Sequence, residues 1–536
     1  MSTRQLRWRL VGGGRAGDGR TTLITLAACL LGLAAVQAAI RAGGLGPLSY
    51  AVPVCGAALM VGAWRRWEFG VQALMVVVVV EGAVRKWLMP SASEMVYFYK
   101  DALMVTILLS YLARVRKPPL LIKRELAPFT AALGAFVAYA AAALLTLFAA
   151  ALAAPGGPHP LVGLLGFKVY CLYIPLAFLV PRMFPDKEKL IRFLKWYSLI
   201  VLPVAILCMM QFTDLNQSSA INRYATDAQG EVADIAMFSD SEGNSYVRVT
   251  GTFSFISGLT AYLPTMFALL LGLISLRREG VHALVKWVYY AAVGGTVVAT
   301  VMTGSRAPVV LLIAYTAVFY ALTSMRNLFR RILQVAVLGG LIFAGLYVLF
   351  PQALDALYER ALGDEGRTGE SMSRISEPFM LPLDEAYYAG GTGFGIGTTQ
   401  NAAPAVMKLV NYQQTRELSP VVTEGEPGRV TLELGVIGYG LYMLLRLALL
   451  LTVCKVCVSL RDRESRVVAI SVACGLAAPL LIGGSVVSHT QNVYQWFLVG
   501  VALALLNAEA LAARFVHEEP RFSPSPLTPT ARAQLN

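Results

Sequence analysis

Three arginines stand among residues suited to hold an anionic leaving group. Arg306 lies in Thr303-Gly304-Ser305-Arg306-Ala307-Pro308, where Ser305 suits a helix cap and Pro308 the turn behind it. A helix N-terminus there offers free N–H groups and a positive dipole end. A guanidinium beside it grips phosphate oxygens in pairs and never deprotonates. The alternative for Arg306 is an interfacial side chain snorkelling to headgroups. Arg248, in Arg248-Val249-Thr250-Gly251-Thr252-Phe253, stands where a polar stretch turns apolar. So does Arg429, in Glu424-Gly425-Glu426-Pro427-Gly428-Arg429-Val430-Thr431-Leu432-Glu433-Leu434-Gly435. Glu433 falls one helical turn past Arg429, inside the apolar run. A carboxylate there is costly and marks function by default, with pairing to Arg429 as the structural alternative.

A glycine-rich run spans Gly391-Thr392-Gly393-Phe394-Gly395-Ile396-Gly397-Thr398-Thr399-Gln400-Asn401. No Lys-Ser/Thr follows it, which argues against a nucleotide loop. As a flexible turn, Gly393, Gly395 and Gly397 would let backbone N–H groups approach a substrate. His489, in Ser488-His489-Thr490-Gln491-Asn492, carries an imidazole, the usual general base, although a lone loop histidine is more often incidental. Glu424, Glu426 and Glu433 are carboxylate candidates for the same role. No His/Asp/Glu cluster has metal-ligand spacing, and Cys454 with Cys457 lacks a second pair, so neither metal nor cofactor is expected. Glu81 and Arg85 have the i,i+4 spacing of a structural pair, with Trp87, Tyr97, Phe98 and Tyr99 in an interfacial aromatic belt. Arg446 reads as a side chain snorkelling toward the cytoplasm.

The elements that must position these groups are membrane helices. The chain has 536 residues, 57% hydrophobic and 14% charged, where a soluble domain carries about a quarter charged. Apolar stretches of bilayer length, about 14 in all, fall near 22–40, 47–64, 69–84, 96–113, 127–152, 162–181, 192–211, 252–275, 285–302, 307–324, 332–350, 430–453, 467–484 and 492–513. The net charge of +13 does not imply nucleic acid, because the excess sits in short loops. With the basic N-terminus (1–21) inside, the alternate loops containing Arg65, Arg114, Lys187, Arg277, Arg326 and Arg461 also fall inside, as the positive-inside rule requires. The count places both termini in the cytoplasm and two polar segments outside. These are 213–250, within the helical region 22–350, and the large loop 351–429, expected to carry short helices near Ala353–Leu362 and Ala403–Leu418. Helices over 430–513 and a tail over 514–536, Pro-rich and read as disordered, complete the chain.

In the TGSR motif at Thr303–Arg306, the glycine run in one large outer loop and the closing Glu-x-x-Arg…Glu-Leu-Gly, the sequence resembles the O-antigen ligase and polymerase superfamily, including exopolysaccharide polymerases. Arg248 before Gly-Thr-Phe and the stretch Glu81–Trp87 resemble a subset of exopolysaccharide-type members. The resemblance runs from about Phe69 to Gly500. It implies an all-α polytopic integral membrane protein with one large periplasmic loop and a GT-C-like architecture, placed in a bacterial inner membrane. It also implies a metal-independent inverting glycosyltransferase whose donor and acceptor are undecaprenyl-pyrophosphate-linked glycans, with a chain-length regulator and export machinery as further partners. Arg306 and Arg429 would then hold the diphosphate, Arg248 and Ser305 assisting. Ligases of this group carry a histidine in the large outer loop, and this loop has Thr399-Gln400-Asn401 in the corresponding stretch. That departure favours a polymerase over a ligase. A lipid-linked oligosaccharide flippase or secondary transporter is the rival from another class.

Overall fold

The computed structural model describes residues 46–88, 93–114, 126–153, 159–214, 219–224, 237–239, 245–276, 283–323, 380–400 and 425–518, with isolated positions between 333 and 354 and at 403, 407 and 423. Among them ten helices are long and apolar enough to cross a membrane, or eleven if one bent pair is counted as a span. This is the framework of a polytopic membrane protein. The predicted spans at 22–40 and, for the most part, 332–350 lie outside the described residues. So do Glu424, both chain ends, most of the two outer loops and nearly all of the helices expected at 353–362 and 403–418.

In chain order the helices are α1 (Gly46–Arg65), α2 (Trp67–Ala83), α3 (Ser93–Ala113), α4 (Ala127–Ala153), α5 (Pro160–Cys171), α6 (Leu176–Met183), α7 (Lys187–Ser198) and α8 (Val201–Thr213). After them come α9 (Ile256–Ser275), α10 (Ala283–Met302), α11 (Arg306–Thr323), α12 (Glu426–Ser459), α13 (Arg463–Leu481) and α14 (His489–Glu518). A π-helical turn, Val84–Leu88, follows α2. Two features depart from the expectation of a purely helical chain with helices only at the predicted places. Strands β1 (Met237–Ser239) and β2 (Ser245–Val247) form a small antiparallel hairpin, and residues 380–389 of the large loop are helical.

Placement in a bilayer, with Val77, Val78 and Val79 packed against the protein, accounts for α2 being a helix despite the run Val76–Val80, which in water favours strands. Inside a bilayer each backbone polar group must find its partner within the segment. At three helix starts a side chain takes up an orphan N–H: His159 Nδ1 from Leu161, Asp186 from Glu188, and Asp462 from Ser465. Near the centre, α14 packs along α6 and meets α9, α12 and α13. Buried Tyr494 of α14 hydrogen-bonds Tyr197 of α7 and faces the ring of Tyr262 of α9 at 5.8 Å.

Because successive membrane spans reverse direction, α7 and α8 together making one, the groups singled out above gather at one end of the bundle. There lie the π-turn, the C-terminal part of α5, the start of α9, the α10–α11 turn, residues 390–400 and the α13–α14 connection. The opposite end holds Arg65, Arg114, Lys187 and Arg461. Lys187 pairs there with Asp462 at 2.9 Å and with Glu464 at 3.7 Å.

Candidate functional site

The first of three groups forms where α10 ends. Gly304, with φ +61°, turns the chain between Met302 and the start of α11 at Arg306. Arg248 reaches this turn from the residue just after β2, its Nε donating to the Thr303 carbonyl at 3.3 Å and its guanidinium to Ser305 Oγ. Ser305, expected as a cap, is thus the partner of Arg248. Tyr224 fixes the arginine's backbone by donating to its carbonyl at 2.7 Å. A guanidinium, a helix N-terminus and Arg306 therefore share one place.

The second group is a belt of buried charge along the π-turn. Lys86, 1% exposed, donates to Thr250 Oγ1 at 2.8 Å and to the Gly251 carbonyl at 2.7 Å, two and three residues after Arg248. Gly82 permits this contact, since a Cβ there would lie 2.2 Å from the Ser254 nitrogen. Arg85 donates to Ser93 and to Ser254 Oγ. The expected Glu81–Arg85 pair is corrected: Glu81 takes Lys100 instead, at 2.6 Å. The π-turn widens the helix beside Arg85, which faces Ser93 and Ser254. The belt reading also changes for Trp87, which is buried and donates to the Ala220 carbonyl at 2.8 Å. Lys168 pairs with Asp101 at 2.6 Å, and Tyr173 donates to the same carboxylate at 2.5 Å. Arg85, Lys86, Lys100 and Lys168 outnumber Glu81 and Asp101 by two charges when all are ionised.

Tyr97 ties this belt to His489. Lys100, Lys168 and Arg85 stand 4.4, 4.7 and 5.2 Å from the centre of its ring, and its hydroxyl is hydrogen-bonded to His489 Nε2. His489 Nδ1 is buried with no hydrogen-bond partner.

The third group surrounds a break in α12. Gly435 has φ 68° and ψ −177°, a conformation open to glycine alone. Tyr442 lies sixteen residues beyond Glu426, about 24 Å along a straight helix, yet its hydroxyl donates to Glu426 at 2.8 Å. The segment from Glu426 to Leu434 therefore folds back beside the rest of α12, and the predicted single span over 430–453 is corrected accordingly. The break frees backbone N–H groups and carbonyls, four of which are satisfied by residues 390–395, while Tyr139 donates to the Leu434 carbonyl. Val436 and Ile437 donate to the carbonyls of Gly390 and Gly391, while Phe394 and Gly395 donate to those of Leu432 and Glu433.

The glycine run thus completes a helix, and its N–H groups are spent on the protein. Gly393 donates to the Ala389 carbonyl. The Glu433 carboxylate accepts from the Gly397 and Thr399 nitrogens, from Thr399 Oγ1 at 2.7 Å and from Gln400 Nε2. Glu433 is fully buried, so its four donors replace the water a carboxylate loses. Arg429 belongs to the same folded-back segment, where its Nε donates to the Thr423 carbonyl at 3.1 Å. Arg248 and Ser305 come together, then, and Arg429 sits with another group, joined to them through the belt and His489.

Glu426 accepts from the Gly484 and Val486 nitrogens at 2.8 and 2.5 Å and pairs with Arg446 at 3.4 Å. Arg446 does not snorkel. It is 4% exposed and donates to the Leu480 and Pro479 carbonyls, which lie in the last turn of α13 where helices leave carbonyls unpaired. A small cavity adjoins the pair, walled in part by Phe136, Tyr170, Tyr442, Ser485 and Asn492.

Sequence reasoning groups Glu81, Arg85, Lys86, Lys100 and Asp101 but misses the Lys168–Asp101 pair that completes the network. Lys168, a lone cation inside an apolar stretch, was the available signal. Neither a scan with protein-family models nor a search of curated proteins returns a match to this chain.

Proposed function

We propose that this protein polymerises lipid-diphosphate-linked saccharide units at the membrane surface bearing the buried charges, the periplasmic one by the distribution of exposed basic residues. The observation that carries this reading is Arg248 reaching the Thr303–Ser305 turn beside Arg306, since two guanidinium groups and a helix N-terminus suit a departing diphosphate. An acceptor hydroxyl attacks the anomeric carbon as the bond from that carbon to the diphosphate oxygen breaks. The diphosphate leaves with the electron pair, and the hydroxyl proton passes to a base. Among the candidates, His489 has the better case, because Glu426 and Glu433 already hold backbone N–H groups, whereas Nδ1 of the histidine is uncommitted. Tyr97 would orient that ring. A ligase using the same groups differs only in its acceptor.

The test is purified protein in liposomes supplied with undecaprenyl-diphosphate-linked repeat units, where a ladder of longer lipid-linked products is expected. Arg306→Ala and Arg248→Ala should each lower its formation about 10²–10³-fold, the usual loss when one transition-state donor is removed. An undiminished ladder from both variants would sink the proposal.

A second reading, transport of a lipid-linked saccharide, is favoured by one observation. Half-helices such as Glu426–Leu434 form substrate sites in transporters. Movement of the lipid-linked unit across the liposome membrane, with no longer glycan made, would select it.

A further inference from the structure

The large loop looks hydrophilic in sequence, yet its helix over 380–389 turns apolar side chains outward. Met380, Leu383, Tyr387 and Tyr388 follow i, i+3, i+7, i+8 spacing and are 57, 68, 88 and 55% exposed, with Asp384 the one charged side chain exposed among them. The opposite face buries Glu385 and Ala389. A helix bathed in water would place these residues the other way round.

Its docking fixes where that face lies. At one end Leu381 packs so closely on Gly428 that a Cβ on the glycine would lie 2.7 Å from it. At the other, the carbonyls of Gly390 and Gly391 accept from Val436 and Ile437 at the break in α12. Helix 380–389 therefore runs beside the folded-back segment, whose Glu426 reaches Tyr442. Val436 and Ile437, at the docking point, are exposed and begin a stripe continued by Leu444, Leu447 and Leu451 on α12. That stripe has the spacing of a lipid-facing side of a membrane helix, and the apolar face of 380–389 adjoins its upper end.

We infer that helix 380–389 is a re-entrant element whose Met380, Leu383, Tyr387 and Tyr388 face lies against bilayer lipid at the headgroup–acyl boundary, where tyrosine is favoured. The outer loop is thereby anchored in the membrane beside the break that Glu433 closes.

The experiment places the photoreactive residue benzoylphenylalanine at Leu383 and, separately, at Tyr387 in the full chain, reconstituted in phosphatidylcholine–phosphatidylglycerol nanodiscs. Ile313, exposed on α11, is the lipid-facing control, and Glu188, exposed at the opposite end, is the aqueous one. Irradiation followed by mass spectrometry reads phospholipid adducts. Yields at 383 and 387 should lie within about threefold of the Ile313 control and well above the Glu188 background. Adduct yields at that background overturn the inference, and so do cross-links to peptides of this or another chain in place of lipid. Because both labelled positions are exposed, the substitutions leave packing intact, and an unchanged melting temperature for each verifies it.

Discussion

The two ends of the bundle treat charge in opposite ways. At the basic end Lys187 and Asp462 pair at 2.9 Å with side chains 35 and 36% exposed. At the other end Arg446 and Glu426 are 4 and 2% exposed, and Lys100 and Glu81 5 and 8%. An exposed pair spends little on desolvation and returns little stability. A buried pair costs several kcal/mol per ion in lost hydration, recovered only through good geometry and additional hydrogen bonds. A chain that needed only to fold would fill such places with leucine. The exposed pairs are thus cheap to keep, whereas the buried charges are the ones that folding alone does not account for.

The sharpest way to break this comparison is Arg446→Leu, which strands Glu426 and the last carbonyls of α13. A loss of about 3–5 kcal/mol in unfolding free energy is expected, and Glu426→Gln in the same chain should recover part of it. A single-variant loss below about 1 kcal/mol would make the two ends alike. Next comes Gly435→Ala, which forces a side chain into a glycine-only conformation with its Cβ 2.3 Å from the Gly391 carbonyl oxygen. It should cost about 1–3 kcal/mol and make the 380–400 segment sensitive to limited proteolysis. Lys187→Ala, at the basic end, should cost at most about 1 kcal/mol, less still at high salt.

The smallest effect is a pH dependence. Burial alone would raise the Asp462 carboxyl, but hydrogen bonds from Lys187 and from the Ser465 nitrogen and hydroxyl outweigh it and hold it below its ordinary range. The unfolded chain then takes up the proton first. Stability from this group is full above its unfolded value, about 3.9, and is lost as pH falls through the lower folded one. Comparing wild type with Asp462→Asn across that window measures it. A difference that did not shrink on acidification would show that the carboxylate's charge contributes nothing.

Much of the framework was legible because lipid allows few solutions. An apolar run of bilayer length becomes a helix whatever its strand propensity, as at Val76–Val80, and the loop charges alternate accordingly. Reading stopped where the chain departs from one helix per span. The stretch from Val430 to Val453 reads as one span interrupted only by Glu433 and Arg446, and Gly435 looks no different from Gly438 and Gly440 beside it. The glycine run could not be recognised as the repair of that break, because its partners lie about forty residues away. Arg248 and Arg306 were found through their types and neighbours. The partners of Glu81 and Arg446 depended on a π-turn and a bent helix that spacing rules do not contain.

Glu426 has a mechanical consequence. Its carboxylate grips the backbone at Gly484 and Val486, three residues before His489, while its own segment is stitched to the glycine run. One carboxylate thus ties the segment that the glycine run repairs to the connection that leads into His489.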